Sequence, residues 1–284
     1  MEISGTTRLI CLLGDPVAHS VSPAMHNLAF KTLELDYCYM AFRADENTLP
    51  ETVEALKALD VRGWNLTMPC KTKMCELVDE LSPAAKLTHS VNTVVNDKGR
   101  LTGHTTDGSG YMQMLAEAGV EIIGKKMVIA GAGGAARAIA VQAALDGVAE
   151  IAIFNRSIEK ASHLADDINK GTKCYASAYD IKDTSMLKQE LEDAVLFTNA
   201  TQVGMAPNQH TSIVEETFIF PENLIVSDIV YNPRKTQLLV QAESQGLKTI
   251  GGLKMLLWQG AHAFKLWTGQ SMPVDVVAAR YFAD

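Results

Sequence analysis

Lys126-Met-Val-Ile-Ala-Gly131-Ala-Gly-Gly134-Ala-Ala-Arg137 is an apolar run that breaks into glycines and then becomes an alanine-rich, helix-forming segment. It reads as strand, phosphate loop, helix. Gly131 permits the tight turn after the strand, Gly133 lets the backbone approach a pyrophosphate, and Ala136, where the pattern accepts Gly or Ala, lets helix and strand pack closely. The helix N-terminus then turns its amides toward the phosphates. A strand-to-helix turn that binds nothing can carry the same glycines, so context has to decide. A second strand-like run, Glu150-Ile-Ala-Ile-Phe154, follows at the spacing of a strand-helix-strand unit of about thirty residues, which selects the dinucleotide loop.

The end of that second strand reads Asn155-Arg156-Ser157. An acid there would bind the adenosine ribose 2′-hydroxyl and repel a 2′-phosphate, whereas an arginine accommodates the phosphate. Arg156 can pair with that phosphate and lie flat on the adenine, because its guanidinium is planar and permanently charged. NADP is therefore favoured. NAD stays possible, since Glu159 can reach a ribose and Arg156 alone could be a solvated loop residue.

With 284 residues, 47% hydrophobic and 20% charged, the chain has room for two domains with separate cores. Its formal net charge of −8 argues against a nucleic-acid partner, which needs clustered Lys and Arg. The N-terminus lacks the basic flank and long apolar core of a signal peptide, and Leu9 to Leu13 is too short to span a bilayer. No membrane association and a cytoplasmic location are expected. Cys11, Cys38, Cys70, Cys75 and Cys174 form no Cys-x-x-Cys pair and no zinc spacing. An odd count fits reduced thiols, and neither metal nor disulfide is expected. No heptad or sticky edge stands out, and a homodimer is left open.

Before the glycine loop, strands and helices alternate, which predicts a largely parallel sheet. Residues 8–13 are a buried strand; Ser22-Pro23 is a cap and first-turn pair for a helix from Ala24 to about Leu33. That gives Ser22 a structural task and leaves Ser20 without one, so both hydroxyls can face a polyol or carboxylate, or both can simply cap and turn. Tyr37 to Phe42 is a second strand, Leu49 to Leu59 a helix, and Gly63 to Met68 a third strand on which Asn65 and Thr67 share a face. Lys71 follows at the carboxyl edge, where such sheets bind ligands; standing alone it would be an ordinary surface lysine. A helical stretch runs to Leu81, and residues 90–95 and 100–103 form a hairpin across Asn96 to Gly99. Asn92 inside that apolar strand must find partners or a ligand. Asp107 lies near the start of a helix from Tyr111 to Ala118, where an isolated Asp can be nothing more than a cap.

After the glycine unit, Ala161 to Ile168 and Met186 to Leu191 read as helices, and Lys173 to Ala176, Val195 to Ala200 and Leu224 to Val230 as strands. By the carboxyl-edge rule the nicotinamide end falls to Thr201, Gln202 and Met205 after one strand, and to Ile229, Val230 and Asn232 at the end of the next. Gly252 precedes a helix whose apolar stripe is Leu253, Leu256, Leu257, Gly260, Phe264 and Trp267, with Gln259 beside it.

Several segments together resemble the shikimate dehydrogenase family, and in particular its quinate/shikimate dehydrogenase branch. They are Gly14-x-Pro16-x-x-His19-Ser20-x-Ser22-Pro23-x-x-His26-Asn27, Asn65-x-Thr67-x-Pro69-x-Lys71, Val91-Asn92-Thr93, Gly103-x-x-Thr106-Asp107-Gly108, Gly131-Ala132-Gly133-Gly134-Ala135, Asn155-Arg156-Ser157, Tyr231-Asn232-Pro233 and Met255-Leu256-x-x-Gln259. Their order and spacing run almost end to end. The resemblance implies an α/β chain in two domains: a substrate domain of residues 1–105 completed by 253–284, and a Rossmann-type NAD(P) domain of 106–252, with the active site in the cleft between. It implies Lys71 and Asp107 as the catalytic pair, and Ser20, Ser22, Asn65, Thr67, Asn92, Tyr231 and Gln259 at the substrate. The loop 131–135, residues 155–157, and Gly252 would hold the cofactor.

The chemistry agrees with that assignment. Moving hydride between a ring carbon and nicotinamide requires a proton to move at the oxygen, and an ammonium held by a carboxylate can supply it in the reductive direction. The expected activity is reversible NAD(P)-dependent oxidation of shikimate, quinate or both, without metal. One departure stands out. The family usually has Asn where this chain has Thr105, and a hydroxyl cannot make both hydrogen bonds of an amide. A paralogue acting on another hydroxylated ring acid, or a nucleotide-binding sensor without turnover, are the alternatives; the intact Lys71 and Asp107 speak against the sensor.

Overall fold

A computed structural model describes residues 2–282 of the chain. These residues group into two compact units, one running up to Gly110 and resuming at Leu257, the other Tyr111–Leu256.

The first unit starts with β1 (Arg8–Gly14), whose residues Ile10 to Leu13 are almost wholly buried. It continues through α1 (Ser22–Thr32), β2 (Tyr37–Arg43), α2 (Leu49–Ala58), β3 (Gly63–Leu66), the single turn α3 (Cys70–Lys73), β4 (Glu80–Leu81), α4 (Pro83–Thr88), β5 (Thr93–Asp97) and β6 (Arg100–His104) to the start of α5 (Asp107–Glu117). The sheet order is β2-β1-β3-β5-β6-β4. β2, β1 and β3 run parallel, as do β4 and β6, while the hairpin β5–β6 is antiparallel within itself and against β3. The hairpin turns at Lys98 and Gly99, both with positive φ (54° and 93°), the combination that matches strand twist in a two-residue turn. Leu13, Leu49, Trp64, Leu66, Met74 and Val94 pack into one apolar core on this sheet.

Several sequence-based boundaries shift, each for a local reason. Ser22 is not the cap of α1: the cap position is Val21, without a side-chain bond, and Ser22 is already helical. The local task belongs to Ser20, whose Oγ accepts from the Ser22 amide at 3.2 Å. Thr67 lies beyond the end of β3, where the chain turns and Cys70 N bonds to Thr67 O. Leu81 is in a short strand rather than a helix, and Ser82 caps α4 by accepting from Ala85 N. Asn92 stands just before β5, where its carbonyl accepts from both the Leu66 amide and the Asn65 side chain and the regular ladder breaks.

The second unit takes in the rest of α5, β7 (Lys126–Ala130), α6 (Gly134–Asp146), β8 (Glu150–Asn155), α7 (Ile158–Gly171), β9 (Tyr175–Asp180), α8 (Thr184–Leu191), β10 (Leu196–Asn199), β11 (Ile225–Asp228), α9 (Gln237–Ser244) and β12 (Thr249–Gly251). Its sheet is wholly parallel in the order β12-β11-β10-β7-β8-β9. Counted from β7, that is the 3-2-1-4-5-6 arrangement of the dinucleotide fold, with its switch point between β7 and β10. β9 runs to Asp180, past the expected Lys173 to Ala176. It is an edge strand with half-exposed Ser177 and Tyr179, so no apolar run marks it. α10 (Leu253–Thr268) and α11 (Val274–Tyr281) bring the chain back to the first unit, where Trp267 is 1% exposed and its indole donates to Val94 O at 2.9 Å.

Candidate active site

The starts of α3, β5 and α5 bring three polar side chains of the first unit together: Lys71, Asn92 and Asp107. Lys71 Nζ donates to Asp107 Oδ2 at 2.8 Å, and the pair is half-buried. Asn92 Nδ2 donates to Asp107 Oδ1 at 2.8 Å, so each carboxylate oxygen has its own donor. Asn92 is itself fixed: its Oδ1 accepts from the Thr106 amide at 2.8 Å and from the Thr93 hydroxyl at 2.9 Å. That leaves one Asn92 N–H without an acceptor among the described residues.

Asn65 lies deeper than a contact residue would. Its Nδ2 donates to Asn92 O at 3.0 Å and Thr93 Oγ1 at 2.9 Å, and its Oδ1 accepts from the Tyr39 hydroxyl at 2.8 Å. Ser22 is half-buried. Burial holds the Tyr39 phenol well above its usual range, so it is a neutral donor. Thr67 and Ser20 are half-buried, and Thr67 has no side-chain bond among the described residues. Gln259 on α10 packs against α5 so tightly that a Cβ on Gly110 would stand 2.5 Å from its amide nitrogen. Tyr231 belongs to the second unit and is 50% exposed. Thr105, at 7% exposure, makes no side-chain hydrogen bond among the described residues, and the orientation of Asp107 comes from Asn92 and Lys71 instead. The sequence reading gave no role to Tyr39, nor to Thr93 and Thr106, which it quoted only as motif positions. The signal available for Tyr39 and Thr93 was a polar atom inside a strand.

In the second unit the expected cofactor residues gather at the carboxyl edge of the parallel sheet. Ala130, Phe154 and Asn199 are register partners at that edge, followed by the glycine loop, Asn155 to Ser157, and Thr201 to Met205. Gly131 has φ +120°, and a Cβ there would stand 2.7 Å from Ala200 O, so only glycine fits against the neighbouring loop. Gly252 is equally confined, since a Cβ would come within 2.1 Å of Ile229 O. Around Gly133 and Gly134 the reverse holds. A Cβ at either meets nothing within 4 Å, and Gly133 leaves the N-terminus of α6 without a side-chain cap. Open backbone amides at a helix N-terminus fit a pyrophosphate. Arg156 is exposed and has no ion pair among the described residues, which fits a 2′-phosphate. A nucleotide therefore suits the groups present.

Two loops at this edge are tied by a carboxylate that sequence reasoning missed. Asp228, 0% exposed, accepts from Asn199 Nδ2 at 3.1 Å, from the Val230 amide at 2.9 Å and from the Thr236 hydroxyl at 2.7 Å. Asn199 Oδ1 in turn accepts from Thr201 at both its amide and its hydroxyl. Burial raises the Asp228 carboxyl to about 6 despite those donors.

Comparison with known proteins follows the same division. Residues 12–94 match the model of the shikimate dehydrogenase substrate binding domain, 114–250 that of shikimate / quinate 5-dehydrogenase, and 252–280 that of the shikimate 5′-dehydrogenase C-terminal domain. A shikimate dehydrogenase (NADP(+)) of Listeria monocytogenes serotype 4b is 52% identical over 279 residues, covering 97% of this chain and 96% of that protein. The crystal structure of shikimate 5-dehydrogenase from Listeria monocytogenes in complex with shikimate and NAD superposes with a TM-score of 0.96 at 51% identity, covering 99% and 98% of the two chains. That of the Thermus thermophilus enzyme in complex with NADP(H) and shikimate gives 0.82 at 35% identity, covering 96% and 99%.

Proposed function

The chain belongs to the shikimate dehydrogenase family, and from that premise we propose that it oxidises shikimate reversibly to 3-dehydroshikimate with NADP as preferred cofactor. The observation that carries the reading is the Lys71–Asp107 pair at 2.8 Å with Asn92 bonded to its second carboxylate oxygen. A nicotinamide cofactor, when bound, supplies the hydride acceptor or donor. The proton falls to this chain's residues. In reduction, the Lys71 ammonium gives a proton to the oxygen of the ketone as it becomes an alcohol; in oxidation, the pair takes the hydroxyl proton back. Two groups this close titrate as a unit, so the proton belongs to the pair.

The remaining roles follow from donor and acceptor count. The single unused N–H of Asn92 binds a ring hydroxyl oxygen, beside the very group that moves the proton. The hydroxyls of Ser20 and Ser22 donate to the substrate carboxylate, and Thr67 and Gln259 hold the rest of the ring. Asn65 acts from behind, as a brace. Several such bonds fix the reacting carbon, and fixing it supplies much of the rate. Arg156 is the group that favours NADP over NAD. We place the enzyme in the cytoplasm, where NADP and free thiols coexist; all five cysteines are free.

Thr105 is the observation that favours a second reading, oxidation of quinate or another hydroxylated ring acid. The test is the rate of cofactor reduction with shikimate and with quinate, each with NADP and with NAD. Shikimate with NADP is expected to give the highest kcat/KM. A quinate rate above the shikimate rate would move the assignment to the second reading, and no turnover in any combination would refute both.

A further inference from the structure

Hydrogen bonds in the first unit run in one direction from Tyr39 to Asp107. Tyr39 donates to Asn65 Oδ1 at 2.8 Å, Asn65 Nδ2 to Thr93 Oγ1 at 2.9 Å, Thr93 to Asn92 Oδ1 at 2.9 Å, and Asn92 Nδ2 to Asp107 Oδ1 at 2.8 Å. A carboxylate only accepts, so the chain must end there. Tyr39, Asn65, Thr93 and Asn92 are all buried. The phenol cannot swing away either: its ring is stacked on His26 at 4.6 Å and tilted against Trp267 at 6.1 Å.

We infer that Tyr39 is a positioning residue for the reaction, because its hydroxyl anchors Asn65, whose bonds to Asn92 O and Thr93 Oγ1 hold the residue that bonds Asp107. The inference rests on the function proposed above. Its physical basis is the cost of a buried acceptor without a donor. Without the phenol, Asn65 Oδ1 loses its donor, and Asn65 shifts toward another one. Its Nδ2 bonds to Asn92 O and Thr93 Oγ1 then weaken, and Asn92 loses part of what holds it. Linked bonds of this kind strengthen or fail together.

The experiment compares Tyr39→Phe, Thr93→Val and the double variant in the full-length enzyme. Tyr39→Phe keeps the aromatic stack and deletes the hydroxyl; Thr93→Val cuts the same chain two bonds further along without touching that stack, and so keeps the test open if the first variant does not fold. Each single variant should lose roughly tenfold in kcat/KM for shikimate, the size of one lost hydrogen bond to a buried partner. KM for NADP should stay within about twofold, because the cofactor groups lie in the other unit. The double variant should be no worse than about tenfold, since one broken chain cannot break twice. Wild-type kcat/KM in a folded single variant, or a double loss equal to the product of the single losses, would overturn the inference. Failure of the wild type to oxidise shikimate would instead remove the functional reading beneath it.

Discussion

Asn92 shows why a residue's burial does not rank it as structural. Its Oδ1 takes the Thr106 amide and the Thr93 hydroxyl, one N–H holds Asp107, and the other has no acceptor among the described residues. Because this arrangement orients Asp107 without help from Thr105, restoring the family residue should change little. Thr105→Asn is expected to alter kcat/KM for shikimate by less than about fivefold, equivalent to about 1 kcal/mol; a larger gain would mean that residue 105 reaches the substrate. A second residue-scale prediction concerns His26, fully buried among Tyr39, Phe264 and Trp267, where burial depresses its imidazole to about 3. The unfolded chain binds that proton below pH 6.5 and the folded chain does not, so stability falls as pH drops from about 6.5 toward 3, by about 1.4 kcal/mol per pH unit. Asp228 works in the opposite sense. Its raised carboxyl, about 6, lets the folded state take the proton first, so the cost of burying its charge is relieved between about pH 6 and 4. The larger shift belongs to His26, and the acid limb should follow it. Between about pH 6.5 and 4.5, wild type should lose about 2 to 3 kcal/mol more of its unfolding free energy than His26→Phe does. Parallel curves would assign the acid limb elsewhere.

At the scale of elements, the parallel unit could be read from the chain because its signals are local. Gly131 needs a positive φ, β7 and β8 are continuous apolar runs, and Arg156 follows the end of β8. The loops after β10 and β11 follow from the carboxyl-edge rule, but what holds them does not. Asn199 and Asp228 face one another only through strand register, a non-local fact that no window of sequence contains. Lys71 and Asp107 could be nominated from motifs, whereas Tyr39, which lies on β2 far from both in sequence, could not. Edge strand β9 and the short β4 lack apolar runs, so the sequence pattern misplaces the first and misses the second. One prediction belongs to the loop after β8. Arg156→Ala should raise KM for NADP by roughly tenfold or more, the worth of a charge-assisted bond, and leave KM for NAD nearly unchanged. Equal effects on both cofactors would remove Arg156 from the 2′-phosphate.

For the molecule as a whole, the first unit depends on both ends of the chain. Trp267 of α10 bonds to Val94 O through its indole, its own carbonyl accepts from Arg62 Nε at 2.8 Å, and it fills the space that Gly63 leaves. Trp267→Ala should therefore cost about 3–5 kcal/mol and weaken shikimate binding while the second unit still binds NADP, a division that titration with each ligand would reveal. Among the described residues no helix is long and apolar enough to cross a membrane. One claim is central to the proposed function: Lys71, held by Asp107, moves the proton while hydride moves. The most direct measurement is shikimate oxidation with NADP by Lys71→Ala beside the wild type, with ligand binding checked in both. In the variant, kcat is expected to fall by about 10²–10⁴ while shikimate and NADP still bind. A variant that binds both and turns over within about twofold of wild type would contradict that claim.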